Sequence, residues 1–182
     1  MRSTGITRRT TRPIASLFDG VDEDIPDDGA EWDPNCNQIP QVYSWTCSSC
    51  SLEWVKRAIG LIEPQDIYAS RYDTVYEIGY PNNINPAYGL MDATGAALRA
   101  VLDSYGVPTS QAWLNFDTVY ALAQETTGMM SGGAWYHWIS LRGVTGPNLW
   151  IANSAPGYKG VWDTLSRADF ERLGPFSVVL LE

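Results

Sequence analysis

Apolar and polar positions along this 182-residue chain change their period near the middle. From Ser48 to Gly60, apolar residues recur at Leu52, Val55 and Ile59, flanked by Trp54 and Ala58. That spacing predicts an amphipathic helix, and Gly60 stands where such a helix stops. Glu63-Pro64-Gln65-Asp66 opens a second helix, since proline is favoured in a first turn; Ile67, Tyr68, Tyr72, Val75 and Tyr76 follow along it. Residues 79–86, rich in Gly, Pro and Asn, read as a loop. A third helix is predicted from Met91 to Tyr105, with Ala97, Leu98, Val101 and Leu102 on one face. Val107-Pro108 leads into an extended piece ending at Trp113, and Asn115 caps a fourth helix that stops near Gly128.

Beyond it the alternation shortens to that of strands. Trp135 to Val144 alternates, Gly146-Pro147-Asn148 is a hairpin signal, and Leu149 to Asn153 is the returning strand. Val161-Trp162 reads as a third strand, Ser166 begins a short helix ending at Gly174, and Phe176 to Leu181 is a closing apolar strand. Helices first and a mostly antiparallel sheet afterwards is an α+β layout.

Residues 1–33 break this pattern. Arg2, Arg8, Arg9 and Arg12 come first, then a run of acidic residues from Asp19 to Asp33. Blocks of like charge with few apolar residues rarely build a core. They are expected to form a flexible charged arm, a solvated tail or a partner-binding segment, ahead of one domain over residues 34–182. The net charge of −9 argues against a broad nucleic-acid surface. The basic N-terminus has no apolar stretch after it, and no run is long enough to span a bilayer, so a cytoplasmic setting without membrane attachment is expected. Three cysteines leave at least one unpaired and speak against a disulfide framework. Eight tryptophans and ten tyrosines suit a binding groove or a core equally.

The chemistry narrows around Cys47, at the start of the first predicted helix. There it meets unpaired N–H groups and the positive end of the helix dipole, which favour thiolate, the nucleophilic form. The chain has one histidine, His137, so a cysteine nucleophile that needs an imidazole partner has only that one. His137 opens a strand and Asn153 ends the next, sixteen residues later across the hairpin turn. The hairpin brings the two outer ends together, and an amide oxygen beside an imidazole N–H fixes its tautomer.

Gln41 six residues ahead of a helix-leading Cys47, His137 on a strand, and Asn153 sixteen residues further on resemble the papain-like cysteine peptidases. The short interval from Cys47 to His137 is closer to the compact bacterial branch, the bacteriocin-leader peptidases. Trp45-Thr46-Cys47-Ser48 with Ser51, Trp54, Arg57 and Gly60, and His137-Trp138-Ile139-Ser140-Leu141-Arg142-Gly143, are similar to that branch as well. The resemblance spans residues 40–181. It departs at Asn153, where many compact members have aspartate. It implies a papain-like fold, a helical half packed on the sheet, and acyl transfer: Cys47 attacks a carbonyl, His137 carries the proton to the leaving amine, Asn153 aims the ring, and Gln41 with the Cys47 backbone N–H holds the oxyanion. It implies a peptide or protein substrate (a leader peptide, another protein or a peptidoglycan cross-link) and no cofactor or metal.

Plainer readings stand beside this one. Cys47 and Cys50 are each suited to be small core hydrophobes; His137 to be a satisfied core histidine; Gln41 to bond a backbone group; and Asn153 to be a turn residue. Cys50 is the rival nucleophile, but it lies a turn deeper. Cys47 and Cys50 also form a C-x-x-C at a helix start, the redox arrangement, although no buried strand is predicted before it. Cys36, Cys47, Cys50 and His137 would make a four-ligand zinc set with only one close pair. The second functional class is a papain-like scaffold without catalysis, kept as an interaction module.

Overall fold

The computed structural model describes residues 45–61, 74–134, 136–155 and 162–182. The expected arm, Cys36, Gln41 and the helix opened by Glu63-Pro64 lie outside the described residues, apart from a helical turn at 74–77.

Besides that turn, four helices and eight strands follow in order among the described residues. They are α1 (Cys47–Ala58), β1 (Ile84–Asn85), β2 (Gly89–Leu90), α2 (Ala96–Ser104), β3 (Thr109–Leu114), α3 (Phe116–Leu122), β4 (Gly128–Gly132), β5 (Trp138–Thr145), β6 (Asn148–Ala152), β7 (Trp162–Leu165), α4 (Arg167–Arg172) and β8 (Phe176–Leu181). Strands β3-β8-β4-β5-β6-β7 form one six-stranded sheet, and every neighbouring pair in it is antiparallel. The expected α+β class is the one observed.

The sheet buries both faces. Met129, Trp138 and Val179 point to one side, where they pack with Leu52 and Val55 of α1 and Leu98, Val101 and Leu102 of α2. Their chain neighbours Met130, Ile139, Val178 and Leu180 point to the other, against Phe116 and Val119 of α3 and Phe170 of α4. Successive strand residues face opposite ways, so a strand covered on both faces reads as a continuous apolar run rather than an alternation. This is why β4, Gly128-Met129-Met130-Ser131-Gly132, carries no strand signal yet lies between β8 and β5. Gly128 itself leaves no room for a side chain, as a Cβ there would stand 2.0 Å from the Val179 carbonyl oxygen.

Other boundaries shift for local reasons. The predicted third helix begins at Ala96, not Met91, because Asp92 folds its own turn: its carboxylate accepts from the backbone N–H groups of Thr94 at 2.9 Å and Ala96 at 2.6 Å. Asn115 and Ser166 cap α3 and α4 as expected, accepting from Thr118 and Asp169 N–H groups. The loop over 79–86 contains strand β1, which pairs with β2. Strand β5 begins at Trp138, not Trp135, and contains a bulge at Arg142, where the register to β6 slips by one between Leu141↔Ile151 and Gly143↔Trp150. The Arg142 guanidinium lies over the Trp150 ring, 4.0 Å from its centroid.

Helix α1 is not amphipathic in its setting. Every residue from Cys47 to Arg57 is buried. Its polar side is made compatible with burial by charge pairing. Arg57 bonds Glu53 one turn back, and Lys56 bonds Glu77, which also accepts from the Tyr105 hydroxyl. No described helix is long and apolar enough to cross a membrane.

Gly95 and Gly60 share a left-handed φ of 74°, but a Cβ at Gly95 would stand 2.7 Å from the Trp138 ring, whereas Gly60 has nothing within 4 Å. Both alanine variants meet the backbone penalty of about 1–2 kcal/mol. Gly95→Ala adds overpacking of about 1–3 kcal/mol. Thermal melts should therefore rank Gly95→Ala clearly below Gly60→Ala, and equal melting temperatures would refute the close packing of α2 on β5.

Candidate active site

The first turn of α1 points at the start of β5. Cys47 is the first residue of the helix, after Thr46, whose carbonyl accepts the Cys50 N–H at 3.0 Å. The Trp138 backbone N–H donates to Cys47 Sγ at 3.5 Å, and deeper in the helix Ser140 Oγ donates to the Ser51 carbonyl at 3.5 Å. The sulfur thus lies beside the peptide unit that joins His137 to Trp138.

His137 and Asn153 meet as the hairpin geometry requires. The imidazole Nε2 is 2.7 Å from Asn153 Oδ1. The same oxygen accepts the Ala155 backbone N–H at 2.9 Å. A backbone N–H only donates, so it fixes the oxygen, not the amide nitrogen, on this side of Asn153. An amide oxygen only accepts, so Nε2 carries the proton. Neutral His137 therefore carries its lone pair on Nδ1. The β5 bulge contributes to this pairing. It leaves Ala152, not Asn153, opposite Ser140, so Asn153 stands beyond the last rung with its side chain free of the ladder.

Burial governs the charge of both groups. Cys47 is 4 % exposed and His137 9 %. Desolvation pushes the Cys47 thiol above its ordinary value, opposed by the backbone N–H groups of Trp138, Ser48 and Cys47 itself. The expectation that the helix start favours thiolate is therefore corrected: the N–H groups act in that direction, but loss of water outweighs them. Desolvation also holds the His137 imidazole below its ordinary value, against the bond to Asn153, which raises it. Desolvation thus favours the neutral form of each group.

Cys47 is nonetheless beside open space. Cys47 lines a cleft of about 870 Å³ together with Trp45, Gly89, Trp113, Gly133, Tyr136 and Trp138, within the range of about 300–1,000 Å³ that encloses ligands. Cys50 is 1 % exposed and is not part of that lining; neither Cys47 nor Cys50 is in a disulfide. Among the described residues there is no group of three or more His, Cys, Asp or Glu side chains arranged to hold a metal ion. The backbone N–H groups of Trp138 and Ala155 escaped the sequence reading because a main-chain donor has no residue signature. The Gly89 strand escaped it because a two-residue pairing gives no periodicity.

No family model matches the sequence, and no curated protein sequence matches it significantly. Solved structures do match the fold. A double glycine motif protease from an AMS/PCAT transporter, in complex with the leader peptide, superposes with a TM-score of 0.59 at 13 % identity, over 80 % of this chain and 91 % of its own. The peptidase domain of Streptococcus ComA, a bi-functional ABC transporter involved in a quorum-sensing pathway, gives 0.57 at 16 % identity, over 80 % and 97 %. That of Streptococcus mutans ComA gives 0.52 at 14 %, over 80 % and 98 %. The chain has the fold of these peptidase domains.

As the sole histidine, His137 gives one imidazole titration by NMR. Its midpoint should fall below 6.5. Asn153→Ala should lower it further by removing the bond that favours the charged ring, and Asn153→Asp should raise it. Because the folded value is depressed, stability owed to neutral His137 is complete above pH 6.5 and is lost as pH falls through the folded value. A midpoint unmoved by either variant would contradict the pairing.

Proposed function

We propose that the protein is a cysteine peptidase in which Cys47 is the nucleophile, His137 the proton carrier, Asn153 the residue that orients it, and Gln41 an oxyanion donor. The observation that carries this is the Nε2–Oδ1 bond between His137 and Asn153, fixed by Ala155 N–H, with the N–H of the residue after His137 bonded to the sulfur of a cysteine that lines a cleft. The likeness to peptidase domains supports the fold in which such a site works.

The reaction follows from the neutral resting pair. As a peptide carbonyl enters the cleft, Cys47 Sγ bonds to its carbon while the thiol proton passes to His137 Nδ1. Backbone N–H groups at the sulfur and the Gln41 amide hold the negative oxygen. The imidazolium, stabilised through Nε2–H by Asn153, gives its proton to the leaving amine, and the C–N bond breaks. Water, deprotonated by His137, then hydrolyses the thioester and restores the thiol. Asparagine supplies orientation but no charge to the imidazolium. The AMS/PCAT protease was solved with a leader peptide, and a peptide segment is the substrate class we assign here.

The depth of Cys47 is the observation that favours the second reading, an inactive scaffold. Kinetics separate the two. Cys47→Ala and His137→Ala should abolish peptide hydrolysis with the thermal transition retained. Gln41→Ala should reduce turnover by about 10²–10³. Hydrolysis that survives in His137→Ala rules out the mechanism, since the chain holds no second imidazole.

The pH profile has a stated shape. The imidazole value is lowered and the thiol value raised, so the singly protonated pair spans a wide plateau. The acid limb of kcat/KM should fall below pH 6.5 and the alkaline limb above pH 9.0. An alkaline limb in the neutral range would mean a stabilised thiolate instead.

A further inference from the structure

Six large apolar side chains are exposed among the described residues, and four of them, Tyr88, Met91, Trp113 and Tyr136, line the Cys47 cleft. Exposed apolar surface gathered at one place marks a binding site more than scattered rings do. Tyr88 is 78 % and Tyr136 84 % exposed, so neither is needed for the core. Tyr136 also carries a left-handed backbone, φ 53°, and is the only non-glycine residue with positive φ among the described residues. Such a conformation is uncommon for a large side chain. Here it falls immediately before His137 and leaves the ring at the mouth of the cleft. Gly89, Gly132 and Gly133 also line the cleft, and the Trp113 ring lies 3.9 Å from where a Gly133 Cβ would be. None of the described residues that line the cleft is charged.

We propose that Tyr136, Tyr88 and Trp113 form an aromatic clamp that selects a peptide with a bulky, uncharged apolar side chain beside the scissile bond. This rests on the peptidase reading and deepens it. Rings at the mouth stack on a large apolar side chain and shed water as it enters. A charged side chain would lose its own hydration with no counter-charge to replace it. A pair of glycines would leave the rings wet and the cleft unfilled. A peptidoglycan stem, with its carboxylates, would find no cation in the lining.

The test uses the full chain, a blocked decapeptide library of randomised sequence and a muropeptide digest, with products read by mass spectrometry. Cleavage should favour Leu, Phe, Met or Tyr near the scissile bond over Gly, Glu or Lys by about tenfold or more. Tyr136→Gly removes the ring while suiting the left-handed backbone, so it should keep a cooperative melt. In it and in Tyr88→Ala, the ratio of kcat/KM for apolar over glycine peptides should fall about tenfold. Preference for glycine pairs, cleavage of muropeptides alone, or an undiminished ratio in both variants would overturn the clamp. If nothing is cleaved, calorimetric binding of blocked Leu, Gly and Glu peptides decides. Apolar-selective binding that is lost in Tyr136→Gly supports the clamp while the peptidase reading fails, and unselective binding overturns the clamp.

Discussion

The antiparallel pairing of β5 with β6 is the constraint on which the site depends. It places His137 and Asn153 at the same end of a hairpin and leaves both beyond the hydrogen-bonded rungs. It also presents the Trp138 N–H to the helix that carries Cys47. A one-residue change in this register would turn side chains to the opposite face. The bulge at Arg142 is therefore part of the site, although Arg142 is remote from the sulfur along the chain. The arginine stacks on Trp150 of the facing strand, which holds the extra residue in place.

The second determinant is the contest between water exclusion and proton chemistry. Burial strengthens the hydrogen bonds around Cys47 and His137, yet it also withdraws the solvation that a thiolate and an imidazolium need. Here the backbone N–H groups around Cys47 offset only part of that cost. Asparagine at position 153 belongs to the same balance: it gives the ring an acceptor without adding a buried negative charge beside it. In the proposed mechanism the charge forms during the reaction rather than beforehand.

Much of this was legible in the sequence, and the parts that were not have common causes. The α1 start, the Gly146-Pro147 hairpin turn and the Asn115 and Ser166 caps are local signals, and each lies where its residues direct. So does the His137–Asn153 pair, because hairpin arithmetic converts sequence distance into proximity. Strand β4 was hidden because burial on both faces erases alternation. The all-round burial of α1 was hidden because Glu53, Lys56 and Arg57 look like a solvent face until their partners are known. The raised thiol was hidden for a similar reason: a helix start is visible in a sequence, but the depth at which it is packed is not.

The pairing of Glu53 with Arg57, both side chains fully enclosed, has a consequence for Cys47. A helix with a greasy surface all round can roll in its socket at small cost. One with two enclosed ions cannot, because turning it would tear them from their surroundings and strand charge in a dry medium. The bearing of the sulfur at the tip of α1 is thus tied to electroneutrality further along the same rod.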